Sequence, residues 1–467
     1  MVLCRPAPTF IVSVLCILTF CGGACRAPAK KVPQGGRGAP ARSVLLFLFD
    51  AAVAGHLGAY GYSRDTTPNA DKLASEGFVF QNHFATAPYT VSAVASLLTS
   101  KYPPVHGVIG AGDCLRESDL TLAEYLQQGN FRTAAFVSNP WISAEAGFSR
   151  GFDEFRRYQS DAEDSHGDYH VNYDALLLDL RRLLVSSGDS RLFVLVHVLL
   201  PHNPYAPPPP FQSRFCNPRY RGSLAATTAT LLAVDTGQTH LDAEDRERLI
   251  DLYDANLRYG DSLLGQVLAV FKETRQLAQT DVIVTADHAE AFGQHGRYLH
   301  NSTVYDEMIH VPLIVRPAAD RGSVDTRRLS DTVDIFPTVL DLLGLERPPR
   351  ALQGRSIFAP ELAGTRKFVL SCSTGLELTA LRSERSKLIQ HRDGRREYYL
   401  MTSDPSESEN LAANKEFRDA EMGELSTYLS ELSRGAESGG AQKRELSLEE
   451  RNVLRSLGYL GGGSGSR

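Results

Sequence analysis

The sequence predicts an α/β protein: a mostly parallel central sheet sandwiched by helices, followed by a small antiparallel C-terminal subdomain. Three observations carry that reading. Continuous apolar runs at 44–49, 133–137, 191–198, 282–286 and 312–315 have the length and side chains of strands buried on both faces. Between them stand helical patterns: at 173–184 Leu176, Leu177, Leu180, Leu183 and Leu184 share a face, and 243–273 carries Leu249, Leu252, Tyr253 and Leu257. After Leu352-Gln-Gly-Arg355 the texture changes to short strands at 368–371, 378–382, 387–390 and 397–400, separated by turn residues such as Arg392-Asp-Gly394. Strands alternating with helices imply parallel crossovers, and short strands joined by tight turns imply antiparallel pairing.

In chain order, residues 1–25 have the form of a secretion leader: Arg5, an apolar run from Phe10 to Phe20, then the small residues Gly22-Gly-Ala24. The run is short for a transmembrane span. Lipidation at Cys21 or Cys25 is the alternative, although Phe20 precedes Cys21 and Gly22 stands where a lipobox before Cys25 wants Leu or Val. The expectation is an exported protein, periplasmic or extracellular, attached to a membrane through an N-terminal lipid if at all. Residues 26–42, rich in Pro, Gly and basic side chains, read as a flexible tether. Residues 43–358 are expected to form the catalytic domain, with a last large helix at 331–343 where Pro337 marks a kink or a new N-terminus. Residues 359–467 hold the antiparallel subdomain, a helix at 417–432, a loop at 433–440 and a closing helix at 447–457.

Composition narrows the function classes. At 467 residues, 42% hydrophobic and 22% charged, the chain can bury a large core. A formal charge of −6 with no basic stripe argues against nucleic acid as partner, so an anionic substrate must be held by local groups. Four of the seven cysteines lie in the leader; Cys114, Cys216 and Cys372 have no metal-type spacing and read as buried or idle thiols.

Chemistry concentrates at two strand ends and one helix start. The run 282–286 stops at Asp287-His288, one hard and one borderline ligand side by side, a good corner for a divalent metal. The run 44–49 stops at Asp50, and parallel sheets gather ligands at the carboxyl ends of their strands. In Thr86-Ala-Pro-Tyr-Thr90-Val-Ser, the Thr90 hydroxyl precedes a small-residue helical stretch at 93–99, so a helix N-terminus would face an anion seated there. A metal corner beside such a hydroxyl points to chemistry on an anionic ester.

These elements and four further stretches resemble the sulfatase branch of the alkaline phosphatase superfamily. His56-Leu-Gly-Ala-Tyr-Gly-Tyr62 with Thr67-Pro-Asn-Ala-Asp-Lys-Leu-Ala-Ser-Glu-Gly77 is similar to its opening. Ala95-Ser-Leu-Leu-Thr99, Tyr102-Pro and His106-Gly resemble the helix and turn around its nucleophile. Pro201-His202-Asn-Pro-Tyr205 resembles its mid-chain substrate histidine, and Asp404-Pro-Ser-Glu-Ser-Glu-Asn-Leu411 its C-terminal signature. The resemblance implies the fold above and an ester hydrolase with one divalent ion held by Asp50, Thr90, Asp287 and His288. A second metal stays open.

The departures are chemical. Sulfatases carry Cys or Ser followed by x-Pro-x-Arg, oxidised to formylglycine; here Thr90 is followed by Val91-Ser92-Ala93-Val94, and Ser92 has neither the Pro nor the Arg. Oxidising a threonine side chain would give a ketone, so no formylglycine is expected. The sulfate-gripping Lys and His align with Asn139 and Trp141, and the second acid of the opening is Ala51. The pattern is similar to threonine-nucleophile members: phosphodiesterases, phosphonate monoester hydrolases and phospho-alcohol transferases. With a histidine ligand and one acid fewer, Mn2+ or Zn2+ fits better than Mg2+ or Ca2+.

Roles then follow as expectations. Thr90 is the nucleophile; His202 and His300 are the proton-transfer candidates; Asn139, His202, His295, His300 and Asn301 are the substrate contacts. His56, His83, His106 and His310 are read as structural. The substrate is a small anionic ester, on a lipid or glycan or free. A sulfuric ester hydrolase, a phospho-alcohol transferase and a catalytically inactive binding homologue remain the alternatives.

Overall fold

The computed structural model describes residues 43–158, 171–359, 368–414, 423, 426–428 and 442–456. The leader, the tether, the loop expected at 433–440 and most of the helix expected at 417–432 lie outside them.

The central sheet is built from β1 (Ser43–Asp50), β2 (Phe78–Val79), β3 (Arg132–Val137), β4 (Glu154–Arg157), β5 (Leu192–Pro201), β6 (Thr280–Ala286) and β7 (Leu313–Arg316). Their order across the sheet is β2-β7-β6-β1-β5-β3-β4. Strands β6, β1, β5, β3 and β4 run parallel, and β7 is antiparallel to both of its neighbours. β1, β3 and β6 extend the expected runs by one or two residues and β5 runs three residues further after starting one later, because backbone pairing continues beyond the apolar stretch; β7 is shifted by one residue, and β2 and β4 had no expected run. In register, Leu46 lies opposite Leu195 and Ile283.

The helices that flank this sheet are α1 (Pro68–Ser75), α2 (Thr90–Thr99), α3 (Leu122–Gln128), α4 (Tyr173–Ser187), α5 (Ala243–Glu273) and α6 (Ile335–Leu343). Alternation along β1 sorts them to the two faces. Leu45, Phe47 and Phe49 pack into one core with the apolar sides of α4 and α5. Val44, Leu46 and Leu48 pack into the other with residues of α2, α3 and α6. All six side chains are fully buried, each contributing about 2–3 kcal/mol by removal from water. A strand without polar alternation is therefore what a two-sided core requires.

Two boundaries differ from the sequence reading. The helix expected from Ala93 begins at Thr90 itself, with Tyr89 in extended conformation as its cap. The helix expected at 331–343 splits into a 3₁₀ turn (Thr332–Asp334) and α6, which places Pro337 in the first turn of α6, where a missing N–H costs nothing.

The antiparallel sheet has strands β8 (Val369–Cys372), β9 (Leu378–Arg382), β10 (Lys387–His391) and β11 (Arg396–Tyr399), paired in that order. It is anchored beside α2: the Cys372 N–H donates to Thr86 O at 2.8 Å, and the Ser371 hydroxyl to Ala85 O at 2.6 Å. A closing helix, α7 (Leu448–Ser456), buries Leu454 in the second core. Cys114, Cys216 and Cys372 are free thiols.

Candidate active site

The carboxyl ends of β6, β1, β5 and β3, central neighbours in the sheet, deliver Asp287, Asp50, His202 and Asn139 to one place. Chain reversal after β1 is abrupt: Ala51 takes a left-handed conformation, φ 64°, which costs about 1–2 kcal/mol for a residue with a Cβ. The turn aims the Ala51 N–H at Asp287 Oδ1, 3.2 Å away. Tyr253 of α5 props it from below, donating to Ala51 O at 2.8 Å and accepting from the Val53 N–H at 2.9 Å. Asp287 Oδ1 also accepts the His288 N–H at 2.8 Å. That leaves Asp50 Oδ1 and Asp287 Oδ2 buried with no hydrogen bond.

Both orphaned oxygens face the His288 ring: Nε2 lies 3.4 Å from Asp50 Oδ1 and 3.7 Å from Asp287 Oδ2. One ligand atom from each of these three residues falls within 4.8 Å of the others. The His288 Nδ1–H donates to Ala289 O at 3.0 Å, so Nε2 carries the free lone pair. Two buried carboxylates without a cation repel one another. Burial and the Asp287 charge push Asp50 well above the ordinary carboxylate range, against the pull of Asn139. Asp287 is held below that range: burial opposes its charge, but the His288 and His197 rings more than compensate. An orphaned acid pair and an imidazole nitrogen whose lone pair lies beside it, all fully buried, are a donor set that fits a divalent cation.

Thr90, at the first position of α2, points into the same cluster. Its hydroxyl lies 3.1 Å from His288 Nε2 and 3.4 Å from Asn139 Nδ2. Asn139 Nδ2 also donates to Asp50 Oδ2 at 2.6 Å, so one amide ties the hydroxyl to the acid. Trp141 is buried edge-on against Tyr89, and its N–H donates to Asn139 Oδ1. An amide and an indole thus occupy the neighbourhood in which a cationic grip was absent from the sequence.

On the other side stand His202 and His300, with ring centroids 4.8 Å apart; His300 is 4.3 Å from the His288 ring. Burial pushes His202 down to about 3, and His288 and His300 down to about 4, so all three are neutral at pH 7. The His202 Nδ1–H donates to Asn203 O at 2.6 Å, which leaves Nε2 turned toward the cluster. Asn301, next to His300 in the lining of one cavity, donates its N–H to Pro88 O at 2.9 Å and adopts φ 79°.

His295 does not join them. Its Nδ1 lies 2.6 Å from Glu307 Oε1, its Nε2 3.0 Å from Glu407 O, and its ring stacks on Tyr305 at 3.8 Å. The structure corrects its expected role as a substrate contact: the left-handed turn at His295, φ 50°, directs the ring toward the C-terminal subdomain. His56, His83, His106 and His310 make structural hydrogen bonds to Asp254, Ser330, Ser96 and Gln81 respectively.

Two residues of the cluster escaped the sequence reading. Glu290 is fully buried, accepts from the Tyr205 hydroxyl at 3.0 Å and lies 2.9 Å from His300 Nδ1; burial pushes it up to about 7 against the neighbouring histidines. Its position two residues after His288 was the available signal. His197, in the middle of an apolar strand, has both ring nitrogens without a hydrogen bond, and Nε2 lies 3.7 Å from Asp50 Oδ2 and 3.8 Å from Asp287 Oδ2. A lone polar residue inside the run 191–198 was its signal.

The family follows from comparison. A model of the sulfatase family matches residues 42–345, and the chain belongs to that family. It is a sulfatase-family hydrolase. Among curated proteins it is similar to the ulvan-active sulfatase of Formosa agariphila, 23% identical over 447 residues that cover 88% of this chain and 84% of that protein. Among solved structures, the phosphonate monoester hydrolase of Agrobacterium radiobacter superposes with a TM-score of 0.68 at 22% identity, covering 87% of this chain and 100% of that one. BT4656, solved with its substrate D-glucosamine-2-N,6-O-disulfate, gives a TM-score of 0.70 at 20% identity over 86% of this chain and 100% of that one. Both structures establish the shared fold.

Proposed function

We propose that the protein hydrolyses an anionic phosphorus ester (a phosphodiester, phosphonate or phosphate ester) through a covalent intermediate on Thr90. The observation that carries this reading is the Thr90 hydroxyl, 3.1 Å from His288 Nε2 at the start of a ten-residue helix. The first-turn N–H groups and dipole of α2 favour negative charge on whatever group Thr90 attacks. A divalent cation held by Asp50, Asp287 and His288 beside Thr90, with Mn2+ or Zn2+ favoured, would supply charge stabilisation and make the hydroxyl more acidic. Bond formation from Thr90 Oγ1 to phosphorus accompanies cleavage of the bond to the leaving oxygen, and water later releases Thr90. Asn139, bridging Thr90 and Asp50, orients the nucleophile. His202 or His300, neutral at rest, takes up the proton that Thr90 releases and gives it to the leaving oxygen, and Glu290 orients His300 from behind.

The supporting chemistry is subtractive as well: no Cys or Ser in the nucleophile loop has the Pro and Arg that formylglycine formation requires. A sulfuric-ester activity is the second reading, favoured by the sulfatase among the curated relatives. The leader-like residues 1–25 place this chemistry outside the cytoplasm in our reading, and sequencing the mature N-terminus tests that placement.

The experiment is a turnover panel of phosphate monoester, phosphodiester, phosphonate ester and aryl sulfate, with metals added back to chelated protein. Phosphorus esters are expected to exceed aryl sulfate, with unmodified threonine at position 90 by peptide mass. Thr90→Ala is expected to lose several orders of magnitude in rate while staying folded. Retention of more than about a tenth of the rate, a barrier change below ~1.4 kcal/mol, would overturn the nucleophile assignment. An aldehyde at Ser92 or a strict preference for sulfate would return the protein to formylglycine chemistry.

A further inference from the structure

A cavity of about 310 Å³ opens at His300, and its walls include Tyr89, Asn203, Asp235 and the successive residues Asn301 and Ser302. The antiparallel sheet contributes Thr374, in the turn after β8. Because His300 touches both His202 and His288, the cavity is where the part of the ester not being transferred would lie.

Its chemistry is one-sided. Among the described residues no lysine or arginine lines it, and Asp235 is the one carboxylate in its lining. Asp235 ends the helix Thr228–Asp235, whose carbonyl end adds negative potential. One oxygen of Asp235 accepts the Tyr298 N–H at 2.9 Å; Arg297, outside the lining, acts on it electrostatically. Ser302 and Thr374 bring hydroxyls to the lining and Asn301 a side-chain amide; these groups donate as well as accept, so they suit neutral polar groups. An anionic leaving group would meet the Asp235 carboxylate with no lysine or arginine among the described lining residues to balance it.

The geometry points to a leaving alcohol that is small, polar and free of negative charge, with Asp235 as the residue that selects against anions. This rests on the reading of Thr90 and its neighbours as an ester-cleaving site, and it adds which half of the ester this chain accepts. Hydroxyl and ammonium groups sit favourably beside Asp235; a carboxylate, sulfate or phosphate on the alcohol is repelled by it.

The test uses three aryl esters of near-equal leaving-group acidity, made from tyramine, tyrosol and 3-(4-hydroxyphenyl)propionate, each as phosphate and as sulfate. They differ at the distal end only: ammonium, hydroxyl or carboxylate. In whichever series turns over, kcat/KM for the tyramine and tyrosol esters is expected to exceed that for the carboxylate ester by about tenfold or more, the scale of a charge reversal near one partly screened carboxylate. Asp235→Asn, which keeps an acceptor for Tyr298, is expected to narrow the tyramine-to-carboxylate ratio at least about threefold on the same electrostatic ground. Equal kcat/KM across the three esters, a preference for the carboxylate ester, or an unchanged ratio in Asp235→Asn overturns the inference while leaving the ester-cleaving reading intact. No turnover in either series overturns both.

Discussion

Tyr253 lies on a helix behind the sheet, yet its hydroxyl holds the turn that follows Asp50. Tyr253→Phe removes one oxygen and keeps the ring, which packs against Phe292 and Tyr205, so its effect isolates the hydrogen bonds. Two backbone groups lose this partner: Ala51 C=O, 2.8 Å from the hydroxyl, and the Val53 N–H, 2.9 Å from it. Burial of an unsatisfied group costs about 1–3 kcal/mol, so the pair costs roughly 2–6 kcal/mol if neither finds another partner. Relaxation of Ala51 from φ 64° returns about 1 kcal/mol, leaving an expected loss of about 1–5 kcal/mol. The same relaxation withdraws the Ala51 N–H from Asp287 Oδ1, so cation affinity is expected to fall by about tenfold, the scale of losing a supporting contact to a ligand. Urea titration gives the first quantity, and calorimetric titration of Mn2+ into folded, chelated protein gives the second. A loss below about 0.5 kcal/mol, ordinary for surface changes, with unaltered Mn2+ affinity would refute the argument that Tyr253 holds the metal corner in shape.

Three further outcomes are expected. His197→Leu should weaken Mn2+ binding by about tenfold or more, with His197→Asn recovering part of it as a donor to the carboxylates, whereas equal affinity in wild type and His197→Leu would reduce His197 to packing. Asp287→Asn should lose bound metal by elemental analysis, and full occupancy would move the site elsewhere. Asp261, whose carboxylate accepts the Asn69 and Ala70 N–H groups at 3.0 and 2.9 Å, is pushed up to about 6 by burial. The folded state therefore holds its proton more tightly than the unfolded chain, so stability from this group is full below pH 3.8 and is lost as pH rises through 6. Unfolding free energies of wild type and Asp261→Asn, measured from pH 4 to 7, should diverge by about 3 kcal/mol across that window; parallel curves would contradict the assignment.

Much of this fold was legible because its local signals agree with its long-range ones. The run 44–49 has no polar alternation, and in the structure it lies between two cores, so the absence of a pattern was itself the pattern. Asp50, Thr90, Asp287 and His288 were readable because each interrupts an apolar or small-residue stretch at an element end. His295 was misplaced for a physical reason: sequence proximity to Asp287 says nothing of direction once the chain passes through left-handed turns at Gly293 and His295. Its neighbour in the list, His300, lies five residues further on, and its ring meets the cluster at 4.3 Å. His197 and Glu290 carried weaker signals, a lone polar residue in an apolar run and a place two residues after His288, and their burial beside charges is what assigns them to the cluster.

The sequence by itself determined five of the seven strands of the central sheet, the four antiparallel strands, the longest helices and the identity of the acids, imidazole and hydroxyl at two strand ends and a helix start. These follow from periodicity and from residue chemistry, both local properties of the chain. Only the tertiary structure decided which of thirteen histidines face the site, that Tyr253 and His197 support the acids from behind, and that Thr374, in the turn after β8, lines a polar cavity next to His300. Those relations join residues far apart in the chain. They depend on where burial leaves a polar atom unpaired, which cannot be read before the chain is packed.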